Sequence, residues 1–267
     1  MLPDLHAILD LLEGGFSQLR ILVAGDLILD RYIIGEVERI SPEAPVPVIR
    51  HAERYERLGG AANFAMDLAW LGCKAFLAGF WGSDNERAKL DKLMVAGGID
   101  TTGIVTSSLP TVSKTRIIGR TQQMLRLDIE SRDRPLAVES QRLLDRAVRL
   151  TAKMHAVILS DYAKGALTQE ICEAIIGTAR CANIPVLVDP KTKDFSKYSG
   201  ATTICPNLNE LSVATGVPAH ETAKLLRAAK QLLIEHDFAY LTVTMSEKGI
   251  PYSLSSAMNT FWHREGA

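Results

Sequence analysis

The feature that most constrains this chain is the strict alternation of short apolar runs and amphipathic stretches in its second half. Ser140 to Met154 carries helical apolar spacing, Ala156 to Leu159 is a short apolar run, Gln169 to Ala182 is helical again, and Pro185 to Val188 is apolar. Thr202 to Cys205 then reads as strand, Glu221 to Glu235 as helix and Tyr240 to Thr244 as strand. Strands alternating with helices of this length build βαβ units, and such units stack into a parallel sheet covered by helices on both faces. Ligands bind such sheets beyond the carboxyl ends of the strands. Polar motifs stand where strands are expected to end: Gly25-Asp26 after the apolar run from Arg20, then Ser160-Asp161, Asp189-Pro190 and Pro206-Asn207.

Two segments have another texture. From Arg31 to Arg50, apolar residues alternate with polar residues or prolines, and Pro42, Pro45 and Pro47 forbid a helix. This predicts exposed β structure with loops, as in a lid or flap. Thr115 to Ile129 repeats the texture and predicts a hairpin turning at Arg120-Thr121. Between them Gly59-Gly60 open a helical pattern that Gly72 ends, Phe76 to Phe80 reads as strand, and Asn85 to Ala96 as helix. Near the N-terminus, Leu5 to Leu12 has helical spacing broken by Gly14-Gly15.

The totals narrow the function classes. A chain of 267 residues that is 47% hydrophobic suits one large α/β domain with a sizeable core. With 30 Lys and Arg against 31 Asp and Glu, no overall field gathers nucleic acid or an anionic membrane. Cys73, Cys172, Cys181 and Cys205 form no C-x-x-C pair and lack zinc-site spacing to His, so they read as reduced thiols. No apolar run approaches the roughly 20 residues of a membrane span. Met1 to Leu12 carries acids and no basic segment, unlike a signal peptide, so a cytoplasmic location is expected.

Each motif has a functional and a plainer reading. Asp26 and Asp30 follow the first strand: a carboxylate there accepts hydrogen bonds from sugar hydroxyls, or caps a turn. Gly59-Gly60-Ala61-Ala62-Asn63 lets backbone approach a ligand at a helix start, or makes a tight turn with Asn63 in solvent. Lys164 suits a phosphate as a mobile point charge, or is a solvated loop lysine. Asn207 and Glu210, beyond Asp189-Pro190-Lys191, either hold Mg²⁺ through water or cap a helix. Walker A, H-E-x-x-H and G-x-S-x-G patterns do not occur.

Together these residues resemble the heptose-7-phosphate kinase branch of the ribokinase-like (PfkB) carbohydrate kinases. The resemblance runs from about Leu19 to Gly249. It rests on Gly25-Asp26 to Tyr32, Arg39 to Pro47, Gly59 to Asn63, Gln122 to Asp128, Ser160 to Leu167, Asp189-Pro190-Lys191, Asp194-Phe195, Gly200 to Thr202, Pro206 to Leu208 and Ser246 with Gly249. It implies a three-layer α/β/α ribokinase-like core with a mainly parallel sheet, plus a small β lid from inserted segments at about 31–57 and 114–129. It implies ATP-dependent phosphorylation of D-glycero-β-D-manno-heptose 7-phosphate at the anomeric hydroxyl, for ADP-heptose and the lipopolysaccharide core. By the same resemblance Asp30, Gly59, Gly60 and Asn63 bind the sugar, and Lys164, Lys191, Arg116 and Arg126 handle phosphates. Asn207, Glu210, Ser246 and Gly249 attend the nucleotide, with Mg²⁺ held by Glu210 through water. A homodimer through the β lid is expected, with no nucleic-acid or membrane partner.

The family's later Asp-x-x-Gly-Ala-Gly-Asp run, which supplies an anion hole and the general base, is not in this sequence. The general base is therefore expected beyond Ala267, and no catalytic residue is named within the chain. The expectation is an incomplete kinase domain over 1–267 with very low turnover. Another ribokinase-like sugar kinase, or a silent sugar- or nucleotide-binding fragment, are the alternatives.

Overall fold

The computed structural model describes Leu9, residues 14–244 and residues 252–255. In chain order the elements are β1 (Arg20–Gly25), β2 (Leu27–Ile40), β3 (Pro47–Gly60), α1 (Ala61–Trp70), β4 (Lys74–Trp81), α2 (Asn85–Ala96), β5 (Asp100–Thr106), β6 (Ser113–Gly119), β7 (Gln122–Ile129), α3 (Ala137–Thr151), β8 (Ala156–Ser160), α4 (Gln169–Cys181), β9 (Val186–Asp189), β10 (Thr203–Ile204), α5 (Leu208–Thr215), α6 (Thr222–Glu235), β11 (Tyr240–Val243) and β12 (Tyr252–Ser255). The expected helix over 5–12 lies, apart from Leu9, outside the described residues.

The main sheet has the strand order β12-β11-β10-β9-β8-β1-β4-β5. All its pairs are parallel except β11 with β12. Each face buries its own apolar cluster, which makes three layers. On one face α3, α4, α5 and α6 bring Leu143, Ile171, Ile175, Leu211, Leu225 and Leu233 against Leu22, Val157, Val188 and Ile204. On the other, α1 and α2 bring Ala61, Ala62, Ala65, Leu90 and Met94 against Val23, Ala75 and Leu77.

A second sheet of order β3-β2-β6-β7 stands beside the first. Its two longest strands, 14 residues each, start and end earlier and later than the exposed texture of 31–50 suggested. The extra residues, Leu27 to Leu29 and Leu58 to Gly60, are buried where the strands leave the main sheet, so they read as core in the sequence. An ion network fixes this sheet to α2. Arg31, 9% exposed, donates to Glu56 at 3.2 Å and to Glu86 at 3.0 Å, and Lys89 lies 3.4 Å from Glu86.

The two sheets meet at Asp26, the single residue between β1 and β2. Its side chain points into the loop after β8. Oδ2 accepts from the N–H of Tyr162 at 2.8 Å and of Lys164 at 3.0 Å, and Oδ1 accepts from Ala166 at 3.0 Å. Ala163 and Gly165 take left-handed φ values of 56° and 100°, which turns these N–H groups inward. Asp161 closes the loop from the other end. It accepts from Ala163 N–H at 2.7 Å and, through Oδ2, from Lys197 and the Tyr198 hydroxyl, both at 2.5 Å. The Asp26 carbonyl accepts from Ala61 N–H at 3.0 Å, so the start of α1 hangs on the same residue.

Local signals explain most helix starts. Asp84 caps α2, Thr168 caps α4 and Asn207 caps α5, each accepting from the N–H three residues on. Helix α3 starts before the expected Ser140 because Glu139, 6% exposed, reaches back to Leu136 N–H at 2.9 Å. It also accepts from Ser108 N–H at 2.6 Å and the Ser107 hydroxyl at 3.0 Å. The sequence reading passes over β5, whose Asp100, Thr101, Thr102 and Gly103 leave too short an apolar run.

Two stability outcomes follow. Asp26→Asn leaves one acceptor oxygen for three N–H groups and turns an NH₂ toward one of them, so it should destabilise the fold by about 3 kcal/mol. A chemical denaturation curve unchanged from wild type would contradict this. For Glu139, burial alone would raise the carboxyl pKa, but the hydrogen bonds from Leu136, Ser108 and Ser107 outweigh it and hold it below the ordinary glutamate range. The stabilisation is therefore complete above the unfolded value of about 4.3 and is lost as pH falls through the folded value. Glu139→Gln should destabilise by about 2 kcal/mol at pH 7, with the gap to wild type shrinking on acidification. A gap that widens toward acid would be the wrong sign.

Candidate active site

The carboxyl ends of β1, β8, β9, β10 and β11 open on one side of the main sheet, and the small sheet stands over it. Two groups of charged residues occupy this side, with Tyr162 between them.

The first group lies on one face of the small sheet. Strand alternation puts Asp30 and Tyr32 of β2, Tyr55 and Arg57 of β3, Lys114 and Arg116 of β6, and Arg126 and Asp128 of β7 on that face, in register across the strands. Arg116 donates to Asp30 Oδ1 at 2.5 Å and lies 5.2 Å from the Tyr32 ring centre. Burial works against the guanidinium charge, and the Asp30 carboxylate more than offsets it, raising the Arg116 pKa. Tyr32 stacks on Tyr55 at 4.8 Å, and Arg57 lies over both rings. Arg126 forms a two-point pair with Asp128 at 2.9 and 3.0 Å. Lys164, from the loop after β8, pairs with Glu130 at 2.6 Å. Lys114 lies 5.5 Å above the Tyr162 ring and forms no salt bridge among the described residues. Burial pushes its pKa down, and Lys164 and Arg126 add to this while Asp30 and Asp128 oppose it.

Gly59 is required beside Asp30, because a Cβ there would stand 2.3 Å from Asp30 Oδ2. Gly60 has φ of 57°, and a Cβ would meet the Asp26 carbonyl oxygen at 2.3 Å. These two positions admit no side chain between the acid and the start of α1.

The second group lines a cavity of about 460 Å³. Asp189, Lys191, Asn207, Glu210 and Thr244 give it polar walls, and Phe64, Ile158 and Leu187 an apolar one. Asn207 and Glu210 form a reciprocal cap at 2.9 and 3.0 Å, so the plainer reading of this pair is realised at the start of α5. The other Glu210 oxygen takes Lys191 Nζ at 3.0 Å. That bond, with the nearby carboxylates, raises the Lys191 pKa. Burial, with Glu210 nearby, pushes the Asp189 carboxyl up to about 6. An all-oxygen set of Asp189, Glu210 and the Asn207 amide suits Mg²⁺ that keeps most of its waters. Among the described residues no cluster of three or more His, Cys, Asp or Glu side chains could hold a metal unaided.

The structure brings Asp30, Gly59, Gly60, Arg116, Arg126 and Lys164 together at the small sheet, and Lys191, Asn207 and Glu210 together around the cavity that Tyr162 also lines. Asn63 is exposed on the first turn of α1, and its amide donates to Asp67 at 3.0 Å, in line with its plainer reading. Ser246 and Gly249 lie outside the described residues. Tyr162, Lys114 and Asp189 belong to the site although the motif reading assigns them no role. Tyr162 sits unremarked inside Ser160 to Gly165. Lys114 is legible only as the residue two before Arg116 on a strand.

The family model for the pfkB family carbohydrate kinases matches residues 18–263. The Bifunctional protein HldE of Koribacter versatilis is 44% identical over 250 residues, 94% of this chain and 51% of its own length. The protein of the same name from Methylobacillus flagellatus is 49% identical over 239 residues, 88% of this chain and 49% of its own length. The chain thus spans about half the length of the curated relatives it matches. Among solved structures, Arabidopsis thaliana ribokinase with ribose and ATP superposes at a TM-score of 0.71, with 16% identity over 90% of this chain and 76% of that one. Escherichia coli phosphofructokinase-2 with fructose-6-phosphate superposes at 0.72, with 16% identity over 92% of this chain and 80% of that one. These likenesses establish the ribokinase-like fold, and the family match and the close relatives show that the chain belongs to the pfkB family of carbohydrate kinases.

Proposed function

We propose that this chain binds D-glycero-β-D-manno-heptose 7-phosphate and Mg²⁺–ATP for phosphoryl transfer to the anomeric hydroxyl, giving the 1,7-bisphosphate used for ADP-heptose and the lipopolysaccharide core. The observation that carries the reading is the division of charge around Tyr162. On one side an acid suited to sugar hydroxyls, Asp30, stands among the cations Lys114, Arg116, Arg126 and Lys164; on the other, carboxylates and an amide line a cavity wide enough for a nucleotide's phosphates.

In this reading Asp30 accepts from adjacent sugar hydroxyls, and Arg116 fixes its orientation. Gly59 and Gly60 let the sugar come against backbone. Lys164 and Arg126 neutralise the acceptor's phosphate, and Lys191 the nucleotide's. Asn207, Glu210 and Asp189 hold Mg²⁺ through its waters, and the ion offsets charge on the transferring phosphoryl group. The new bond joins the anomeric oxygen to the γ-phosphorus as the bond to ADP breaks. The small sheet acts as a lid that excludes water from this step. The sequence carries no Asp-x-x-Gly-Ala-Gly-Asp run, so the reading assigns no general base here, and binding is its direct test.

The lid also supports self-association. Leu125, Leu127 and Ile129 alternate along the edge strand β7 and are 56%, 54% and 42% exposed. An apolar sheet edge of this kind is suited to a second copy of the chain.

Calorimetric titration tests the binding claim. Wild type should bind the heptose phosphate and, with Mg²⁺, ATP. Asp30→Asn should weaken the sugar about tenfold or more and leave ATP unaffected, whereas Glu210→Gln should weaken ATP only when Mg²⁺ is present. Indifference of the ATP affinity to both Mg²⁺ and Glu210 would overturn the assignment. For assembly, Leu127→Glu should convert a sedimenting dimer to monomer, and a wild-type monomer at all concentrations would remove the lid dimer.

A further inference from the structure

The cations around Asp30 are satisfied in different ways. Arg116 pairs with Asp30, Arg126 with Asp128 and Lys164 with Glu130, while Arg57 lies over the stacked Tyr32 and Tyr55 rings. Among the described residues Lys114 has neither a carboxylate in salt-bridge reach nor a pair of rings. It rests half-buried on the Tyr162 ring, where burial works against its charge, Asp30 and Asp128 favour it, and Lys164 and Arg126 oppose it. Neighbouring carboxylates outside salt-bridge reach and a ring face offset only part of the desolvation cost of a half-buried ammonium. The same cost is recovered when a ligand anion fills the position. Strand register places Lys114 directly across from Asp30 on one neighbour and from Asp128 on the other.

We propose that Lys114 is a specificity-determining residue that takes up the phosphate the acceptor already carries, so that the site selects a phosphorylated sugar over the free one. The inference rests on the reading of the site given above and deepens it. One molecule bearing both hydroxyls and a phosphate ester satisfies Asp30 and Lys114 together, because the two residues are cross-strand neighbours. The nucleotide's phosphates are a poorer match, since Lys114 does not line the cavity that holds Asn207 and Glu210. An ammonium on a flexible stem follows a phosphate through small changes of pose, which a guanidinium fork does less readily. An uncharged sugar offers Lys114 only hydroxyl acceptors, which recover less of its desolvation cost than a phosphate does.

The test compares wild type, Lys114→Met and Lys114→Arg by calorimetric titration with three probes: the heptose 7-phosphate, the same heptose after phosphatase treatment, and Mg²⁺–ATP. Wild type should prefer the phosphorylated sugar. Lys114→Met should lose about 10- to 100-fold of affinity for it and bind the other two probes as wild type does. Lys114→Arg should recover part of the loss. Equal weakening of both sugars, or weakening of Mg²⁺–ATP, would reveal a structural role and overturn the proposal. So would an unchanged preference in Lys114→Met, which leaves the wider functional reading intact. A wild type that binds both sugars equally would instead overturn that reading, and the role of Lys114 with it.

Discussion

The buried carboxylate of Asp26 organises the whole candidate site. It stands at the only residue between the central core strand and the first strand of the small sheet, and three N–H groups of the loop after β8 converge on it. Burial raises its pKa, and those three bonds, which favour the charged form, offset only part of that. Its backbone carbonyl meanwhile holds the first N–H of α1. The core sheet, the small sheet, the helix that opens with Ala61 and the loop that bears Tyr162 and Lys164 therefore share one anchor. Gly25 beside it admits no side chain, since a Cβ would meet the Ser160 carbonyl oxygen at 2.0 Å. The precision of a site made from elements far apart in sequence comes from this junction.

From the junction the charges divide. On the lid side each acid is matched with a base, which keeps Asp30 in place. On the sheet side the Asp189 and Glu210 carboxylates crowd one another, and Lys191 relieves only part of the repulsion. Among the described residues Lys114 has no salt-bridge partner on the first side, and Lys191 is the one cation lining the cavity of Asp189 and Glu210 on the second. Tyr162 separates them, and the sums of charge on its two sides differ in sign. Phosphoryl transfer needs this kind of separation, because acceptor and donor phosphates repel until each is neutralised in its own place.

Much of this was legible in the sequence, and the reasons differ by element. The strand ends were visible because Gly25-Asp26, Ser160-Asp161, Asp189-Pro190 and Pro206-Asn207 interrupt apolar runs too short for helices. Helix α2 was readable to the residue, since Asp84 caps it and Gly97 follows it. The polar first half of β5 hid that strand, and Glu139 acting from the third position hid the start of α3. The roles of Asp26 and Lys114 were not legible, because each depends on partners across strands or over 130 residues away. Asn63 shows the converse: its motif is plain in sequence, yet its amide is engaged with Asp67 one turn along.

The most direct test of the account is a cocrystal structure of the chain with Mg²⁺, a non-hydrolysable ATP analogue and the heptose phosphate. The account predicts the sugar's phosphorus on the Lys114 and Lys164 side of Tyr162, its hydroxyls on Asp30, and the nucleotide's phosphates with Mg²⁺ on the Asn207 and Glu210 side. Both ligands on one side of Tyr162, or the sugar phosphate in the cavity of Asp189 and Lys191, would contradict it.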